Sequence, residues 1–544
     1  MGNEFARGAF SFTGVTAASP ASPQLNLYTS WASYMLGYPS SVDGSVEMAF
    51  EQMRGTSGAL YIDDTYRVSP KVTLSLGLRW ELVQPFLDKS GHETNVQIPY
   101  FSEESGNVAN MALHPVEVRS GTGSYYDGLP FFYPGLQVAR DGRLSSRMYP
   151  GDPYNFAPRI GLAWNPSPKW SVRMGAGLFY VQDSGNSRFD LARAIGGRYT
   201  ITANGTLPNL TWTNYLSSGS SLNINGPFLY GVSNNLRTPR VYQWLLDVQH
   251  QLTESTMFEG SYTGSIGRRL EGLYNANEPL AGTSSIPSRL PFPEIGEAQV
   301  VYGDDKSNYN ALSVRVQRRY SSGLTFQGAY TWSHSMDDAS AIRGDTLVPQ
   351  NARCISCEYA PSAFDVKERF VLSIVYDLPF GKGKKFVNMG GVANELIGGW
   401  QIGSIYSVQT GIPGYPTPGS DQSNTGIGQG RDRLNATGIS TVMSSPGPNM
   451  WFNTAAYSLE PFGTFGSAGR NSFRQPGRND VDLTMLKNFR IREGHALQFR
   501  YEVFNSLNHP NWGTANGTWG ATFGRITSTG IPMRQMQFGL KYNF

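Results

Sequence analysis

Arg534-Gln535-Met536-Gln537-Phe538-Gly539-Leu540-Lys541-Tyr542-Asn543-Phe544 ends the sequence, and from Met536 onward every second residue is apolar or aromatic. A period of two is the mark of a strand with one oily and one wet face. Such a strand suits a membrane barrel, lipid outside and water inside, and a terminal aromatic is typical of that setting. It also suits a half-buried strand of a soluble sandwich, because alternation does not name the solvent.

The same pattern recurs upstream as hairpins. Val72, Leu74, Leu76, Leu78 and Trp80 alternate with Thr73, Ser75, Gly77 and Arg79, after Tyr61 to Val68 and a Ser69-Pro70 turn. Ile160, Leu162 and Trp164 face Val172, Met174, Ala176, Leu178 and Tyr180 across Asn165-Pro166-Ser167-Pro168. A noisier pair, Val241 to Gln251 and Thr256 to Ser265, precedes a clean one, in which Leu312, Val314 and Val316 turn at Tyr320-Ser321-Ser322-Gly323 into Leu324, Phe326, Tyr330 and Trp332. Phe370, Leu372, Ile374 and Tyr376 pair with Trp400, Ile402, Tyr406 and Val408 across a connection holding Gly381-Lys382-Gly383-Lys384-Lys385. Asp480 to Phe489 and Leu497 to Val503 turn at Glu493-Gly494. With a segment at Ala9 to Thr13, the count is about fourteen strands, an even number as bacterial barrels require.

Between hairpins run segments rich in Gly, Ser, Asn and Pro, near residues 82–156, 181–240, 266–307 and 411–478. Soluble domains rarely carry several structureless loops beyond about 15 residues, whereas outer-membrane barrels pair short periplasmic turns with long extracellular loops. The 544 residues are 16% charged and 13% aromatic, with 62 Gly and 33 Pro, which suits strands joined by turns. A net charge of +3 gives no electrostatic case for nucleic acid. No apolar run is long enough for a membrane helix, a test to which barrel strands are invisible. Met1 to Gly14 lacks the apolar core of a secretion signal. The expected class is therefore all-β: a transmembrane antiparallel β-barrel, with Trp170, Trp332, Trp400 and Tyr542 near strand ends as interfacial aromatics.

Beyond pattern, the wording of the hairpins resembles the barrel of TonB-dependent transporters, and within them the Oar-like group. The residues that carry the resemblance are Asp63-Asp64-Thr65-Tyr66 with Leu74 to Glu81, Asn155 to Trp164, Ser307 to Leu312 and Tyr330 to Ser335. Phe364-Asp365-Val366, Leu378 to Gly383, Gly398-Gly399-Trp400-Gln401, Glu502 to Asn505 and Asn508-His509-Pro510 extend it over nearly the whole chain. The resemblance implies energised movement of a large ligand across the outer membrane. It also implies a signal peptide, a small β-sandwich domain, a plug that engages TonB, and a barrel of about 22 strands. None of the first three is visible, so residues 1–544 are expected to be the C-terminal portion of such a barrel, with plug, N-terminal β-sandwich domain and signal peptide not present. The implied partners are outer-membrane lipid, the TonB system through the missing plug, and the barrel-assembly machinery through the C-terminal strand bearing Met536, Phe538, Leu540, Tyr542 and Phe544. A passive channel or adhesin barrel, or a soluble carbohydrate-binding β-sandwich, are the alternatives.

Residues that could carry chemistry are few. Cys354-Ile355-Ser356-Cys357 lies in a long connection without a second pair, and in an oxidising compartment a small loop disulfide joining Cys354 and Cys357 is expected. His92, His114, His250, His334, His495 and His509 show no ligand spacing. Asp304-Asp305 and Asp337-Asp338 read as solvated loop charges before cation ligands, and Gly426-Ile427-Gly428-Gln429-Gly430 as a flexible tip. Lys382, Lys384 and Lys385 suit either a solvated turn or membrane phosphate. No nucleophile, base and orienter assemble, so no enzyme, cofactor, metal or nucleic-acid partner is expected; the ligand-binding residues are not legible.

Overall fold

The computed structural model describes residues 9–12, 23–45, 52–99, 108–128, 136–181, 198–202, 210–213, 229–341, 349–388, 391–428 and 430–544. Its principal element is a wall of antiparallel strands in unbroken chain order. They are β1 (Ser57–Ser69), β2 (Val72–Val83), β3 (Asp152–Ser167), β4 (Trp170–Tyr180), β5 (Arg240–Gln251), β6 (Thr256–Asn275), β7 (Ala298–Ser321), β8 (Leu324–Asp337), β9 (Glu368–Asp377), β10 (Trp400–Gln409), β11 (Arg478–Arg492), β12 (His495–Phe504) and β13 (Gln535–Asn543). Along this path each strand pairs with its sequence neighbours, β7 and β8 each take one further short partner, Leu229–Val232 and Ala360–Pro361, and β1 and β13 form the two edges.

Turn chemistry fixes the tight hairpins. Between β7 and β8, Ser322 and Gly323 both have positive φ, 53° and 80°, the two-residue geometry that follows the twist of flanking strands. The tight turns all fall at one end, and the connection from β9 to β10, residues 378–399, falls there too. The final strand also ends there, since Asn543 pairs with Ala496 beside the Glu493-Gly494 turn.

Register carries the alternation from strand to strand. One row runs Tyr66, Leu74, Leu162, Met174, Leu246, Tyr262, Leu312 and Trp332 across β1 to β8. Another runs Tyr376, Ile402, Met485, Tyr501 and Phe538 across β9 to β13. The opposite face carries Arg173, Asp247, Ser261, Ser313, Thr331 and Arg369 in one row. Because the side-chain period is two, a slip of one residue would send the whole apolar set to the polar side.

The wall contains thirteen strands, against about fourteen expected. The segment at Ala9 to Thr13 accounts for the difference: Ala9–Ser11 is a strand, but it pairs with Ser41–Ser45 in a separate small sheet, and Thr13 lies outside the described residues. The physical reason is aromatic packing, since Phe10 and Phe12 both stand against Trp212, and Phe12 also meets Tyr34. The noisier β5–β6 pair is continuous from Arg240 to Gln251 and longer than its alternation indicates. Bulges at Gly267, Leu270 and Gly272 hide the period in the upper half of β6. With 20 and 24 residues, β6 and β7 far exceed the roughly 10 that cross a bilayer, so they rise beyond the membrane at the long-loop end.

Candidate functional site

At that end the described connections pack into a cap. Strands Thr94–Gln97, Val116–Arg119 and Gln137–Ala139 form a small sheet, and Leu229–Val232 lies parallel to the top of β7. Val96, Leu229, Phe292, Ile295 and Val300 make one apolar cluster there; Val118, Leu144, Met148, Tyr230 and Val301 make a second. The connection from β10 to β11 builds a third from Leu434, Phe452, Tyr457 and Phe473, joined by Ala515 of the connection from β12 to β13, with Phe452 and Phe473 rings 4.1 Å apart.

Three arginines of the β10–β11 connection fasten that unit to the β8–β9 connection and the top of β8. Arg433 donates to both oxygens of Glu358 at 2.9 and 2.7 Å, and Gln350 accepts from the Arg433 main chain at 2.7 Å. Burial works against the Arg433 charge, but the adjacent Glu358 carboxylate and Tyr415 hold its pKa above the ordinary value. Arg470 reaches the carbonyl of Asp337 at 2.6 Å, its carboxylate at 2.5 Å, and the carbonyl of Glu358 at 2.9 Å. Arg474 pairs with the Asp365 carboxylate, which also accepts from Ser335 N at 2.7 Å at the top of β8. Buried pairs with this many hydrogen bonds hold geometry, and each lost partner leaves an uncompensated charge.

Below the cap the wall presents two chemically distinct sides. The apolar side includes Leu60, Ile62 and Tyr66 on β1 and Met536, Phe538 and Leu540 on β13, all 60% exposed or more. The polar side carries Glu259 paired with Arg315, Arg79 with Glu81 at 2.6 Å, and Ser313 with Thr331 at 3.0 Å. An apolar side this extensive, outside any core, needs lipid as its solvent. A model of the outer membrane beta barrel domain matches residues 1–537. The chain belongs to the outer membrane beta barrel domain family.

The wall is thus that of an outer-membrane β-barrel domain, and the protein resides in the outer membrane. No curated protein sequence matches it. Among solved structures, it is similar to the FrpB iron transporter of Neisseria meningitidis (F3-3 variant), at 11% identity over 91% of this chain and 46% of that one, TM-score 0.40. The outer membrane transporter YddB of Escherichia coli gives 11% identity, 92% and 54% coverage, TM-score 0.43. Unliganded ferric citrate transporter FecA gives 9% identity, 92% and 46% coverage, TM-score 0.38. The chain spans about half the length of these solved proteins.

The residues singled out from sequence are dispersed over this frame. Met536, Phe538, Leu540 and Tyr542 share the apolar side of β13, with Phe538 stacked on Tyr501 at 4.8 Å. Phe544 follows that strand and is 91% exposed. Cys354 and Cys357 are joined to each other in a disulfide within the cap. His114 contacts Glu294 at 2.5 Å, His334 faces Asp365 at 3.3 Å, and His495 meets the Tyr542 hydroxyl at 2.7 Å. Among the described residues, no group of three or more His, Cys, Asp or Glu side chains stands at metal-ligating spacing.

Asp305, Asp337 and Asp338 are buried, not solvated as the sequence reading has them. Asp337 is neutralised by Arg470, Asp305 accepts from the Tyr302 hydroxyl at 2.6 Å, and Asp338 accepts from Lys306 N at 2.9 Å. Asp304 is exposed. The glycine-rich stretch is not a free tip either, since Gly428 is buried and the amides of Gly426 and Gly428 donate to Asp421; Gln429 lies outside the described residues.

Lys487 is a residue the pattern reading passed over. It occupies an apolar-side position between Met485 and Phe489, is 2% exposed, and donates to Gly398 O at 2.6 Å beneath the Trp400 ring. Trp400 itself donates to Leu396 O at 2.9 Å. Together they tie the 378–399 connection to the apolar side of the wall. The signal was a lysine breaking the run Val481, Leu483, Met485. A hollow of about 910 Å³ also lies mostly on that side, lined by Ile62, Leu76, Leu78, Ile160 and Trp244.

Proposed function

We propose that this chain forms part of the barrel of a TonB-dependent outer-membrane transporter or receptor, one that moves a large ligand using energy passed from the inner membrane. The observation that carries the reading is the wall itself: thirteen antiparallel strands with a continuous apolar side, a built cap at one end, and edge strands β1 and β13 that are not paired with one another among the described residues. A sheet closes only when strand number, tilt and stagger agree, so a larger ring accommodates this wall better than a ring of these strands alone. On this reading residues 1–544 supply the C-terminal portion of the barrel. TonB acts through a plug that this portion does not itself provide, lipid covers the apolar side, and the assembly machinery engages β13.

The experiment places the chain behind a secretion signal and compares uptake in cells with and without TonB. Insertion in the outer membrane without TonB-dependent uptake is expected. Uptake by this chain alone that vanishes when TonB is removed overturns the assignment of the plug to another part. Steady conductance indifferent to the proton-motive force, from a ring closed by this chain, supports the passive-channel reading instead.

A further inference from the structure

The connection from β10 to β11 contains Asp421-Gln422-Ser423-Asn424-Thr425-Gly426-Ile427-Gly428-Gln429-Gly430-Arg431-Asp432. Carboxylates at the first and twelfth positions, hydroxyls at the third and fifth and glycine at the sixth follow the spacing by which a loop of this length wraps calcium. Ile427 takes the position that supplies a main-chain carbonyl in such loops.

The described geometry closes the two ends of this stretch on each other. Asp421 accepts from the amides of Thr425 at 3.0 Å, Gly426 at 2.7 Å and Gly428 at 3.2 Å. Gly426 takes the positive φ, 84°, that the sharp bend demands. Asp432 accepts from Ser423 N at 2.7 Å, and the hydroxyls of Ser423 and Thr425 lie 3.0 Å apart. A methyl placed on Gly428 would run into Asp421 Oδ1 and Asp432 Oδ2, so the two carboxylates flank this glycine; both of those oxygens accept main-chain amides, which leaves Asp432 Oδ1 as the open position.

A second and independent observation is what remains unpaired there. Asp432 is 0% exposed, and its Oδ1 has no hydrogen-bond partner. Glu460, 1% exposed, has neither carboxylate oxygen partnered; Glu278, 0% exposed, leaves Oε2 without one. Asp432 lies within electrostatic reach of Asp421, Glu460 and Glu278. Arg289 lies within electrostatic reach of Asp421 but spends its guanidinium on the carbonyls of Ser284, Leu280 and Asn424, and Arg353 and Arg431 offset only part of the burial of Glu278. Buried carboxylates with orphan oxygens are costly unless a cation compensates them.

We propose that Asp421, Ser423, Thr425 and Asp432 bind a divalent cation of calcium's size and hardness, with Glu460 and Glu278 as outer carboxylates. The ion fastens three connections. Ser423 O accepts from Gly282 N at 3.3 Å, Gln422 O from Gly463 N at 2.7 Å, and Glu278 accepts from Ala352 N at 3.2 Å. The segments after β6, β8 and β10 therefore meet at this loop. Two inner carboxylates match the weaker end of the calcium range, roughly 0.1 to 1 mM, suited to an external medium.

The test is calorimetric titration of the folded full chain in detergent with calcium chloride and then magnesium chloride, with limited proteolysis of the cap alongside. One calcium site in that range, at least tenfold weaker for magnesium, and protection of the cap by calcium are expected. Asp432→Asn and Asp421→Asn should each weaken binding at least tenfold. Gly428→Ala should do the same while keeping every ligand, and it decides the matter if an Asp variant does not fold. No binding by the wild-type chain up to about 10 mM calcium, or equal binding by all three variants, overturns the proposal.

Discussion

Phe538 in the wall and Phe452 in the cap are the same side chain in opposite settings. Phe538 is 73% exposed and meets two rings, stacked on Tyr501 and tilted against Phe499. Phe452 is 2% exposed and meets Phe473, Tyr457 and Phe523. The wall satisfies its main chain by strand pairing and leaves its oily side for lipid. The cap stands in water and must bury its own apolar residues, then pair every charge it buries with them. Side-chain chemistry alone therefore does not predict the cost of a substitution; the solvent around each region does.

The largest break in this contrast is expected at Arg433. Its replacement by Met leaves Glu358 buried without its cation, which costs about 3 to 5 kcal/mol. The damage should stay in the cap: proteolysis within residues 349–362 and 433–474 should accelerate, while the heat-modifiable gel mobility of the folded wall is kept. Simultaneous loss of the wall would show that the two regions do not fold as separately as their packing indicates.

Next in size is a charge on the oily side of β13. Phe538→Arg should cost about 2 to 4 kcal/mol at the bilayer midplane, and Gln537→Arg, one residue away on the polar side, much less. Folding yield into lipid vesicles separates the two. Equal yields would remove the assignment of lipid to the even-numbered face.

These two regions were also unequally legible in the sequence. In the wall, period and solvent act on each residue locally, so Val72 to Trp80 or Met536 to Tyr542 announce their face without knowledge of any partner. The same locality let Ala9 to Thr13 pass as a wall strand, because three alternating residues cannot say which sheet they join. In the cap, Glu358 and Arg433 are 75 residues apart and Asp337 and Arg470 are 133 apart. No spacing rule links such pairs, so Asp337 read as a solvated charge. The cysteine pair at 354 and 357 was visible because its partners are nearly adjacent.

That pair gives a smaller effect. A disulfide closing so short a loop restricts the unfolded chain little, about 2 kcal/mol by the loop-entropy relation. Replacement of both Cys354 and Cys357 by Ser should loosen residues 349–362 without moving the remainder of the cap, as read by hydrogen exchange. Alkylation and mass spectrometry of outer-membrane material should find no free thiol; two alkylated cysteines would remove the staple.

The smallest effect per step comes from pH, and it is confined to the cap. Glu117 is 0% exposed in the Thr94–Gln97, Val116–Arg119 and Gln137–Ala139 sheet. Burial pushes its pKa from 4.5 to about 8, against a hydrogen bond from Thr94 that favours the charged form. The folded state thus holds a proton that the unfolded chain has released, so stability falls as pH rises between those two values and levels off above about 8. The slope for one such group is about 1.4 kcal/mol per pH unit. Hydrogen exchange in this small sheet should be slower at pH 6 than at pH 7 once corrected for the intrinsic rate, with Glu117→Gln removing most of the difference. The strands of the wall, measured in the same samples, should show no matching change. A wild-type slope that survives in Glu117→Gln would mean that another group, and not this carboxyl, holds the proton.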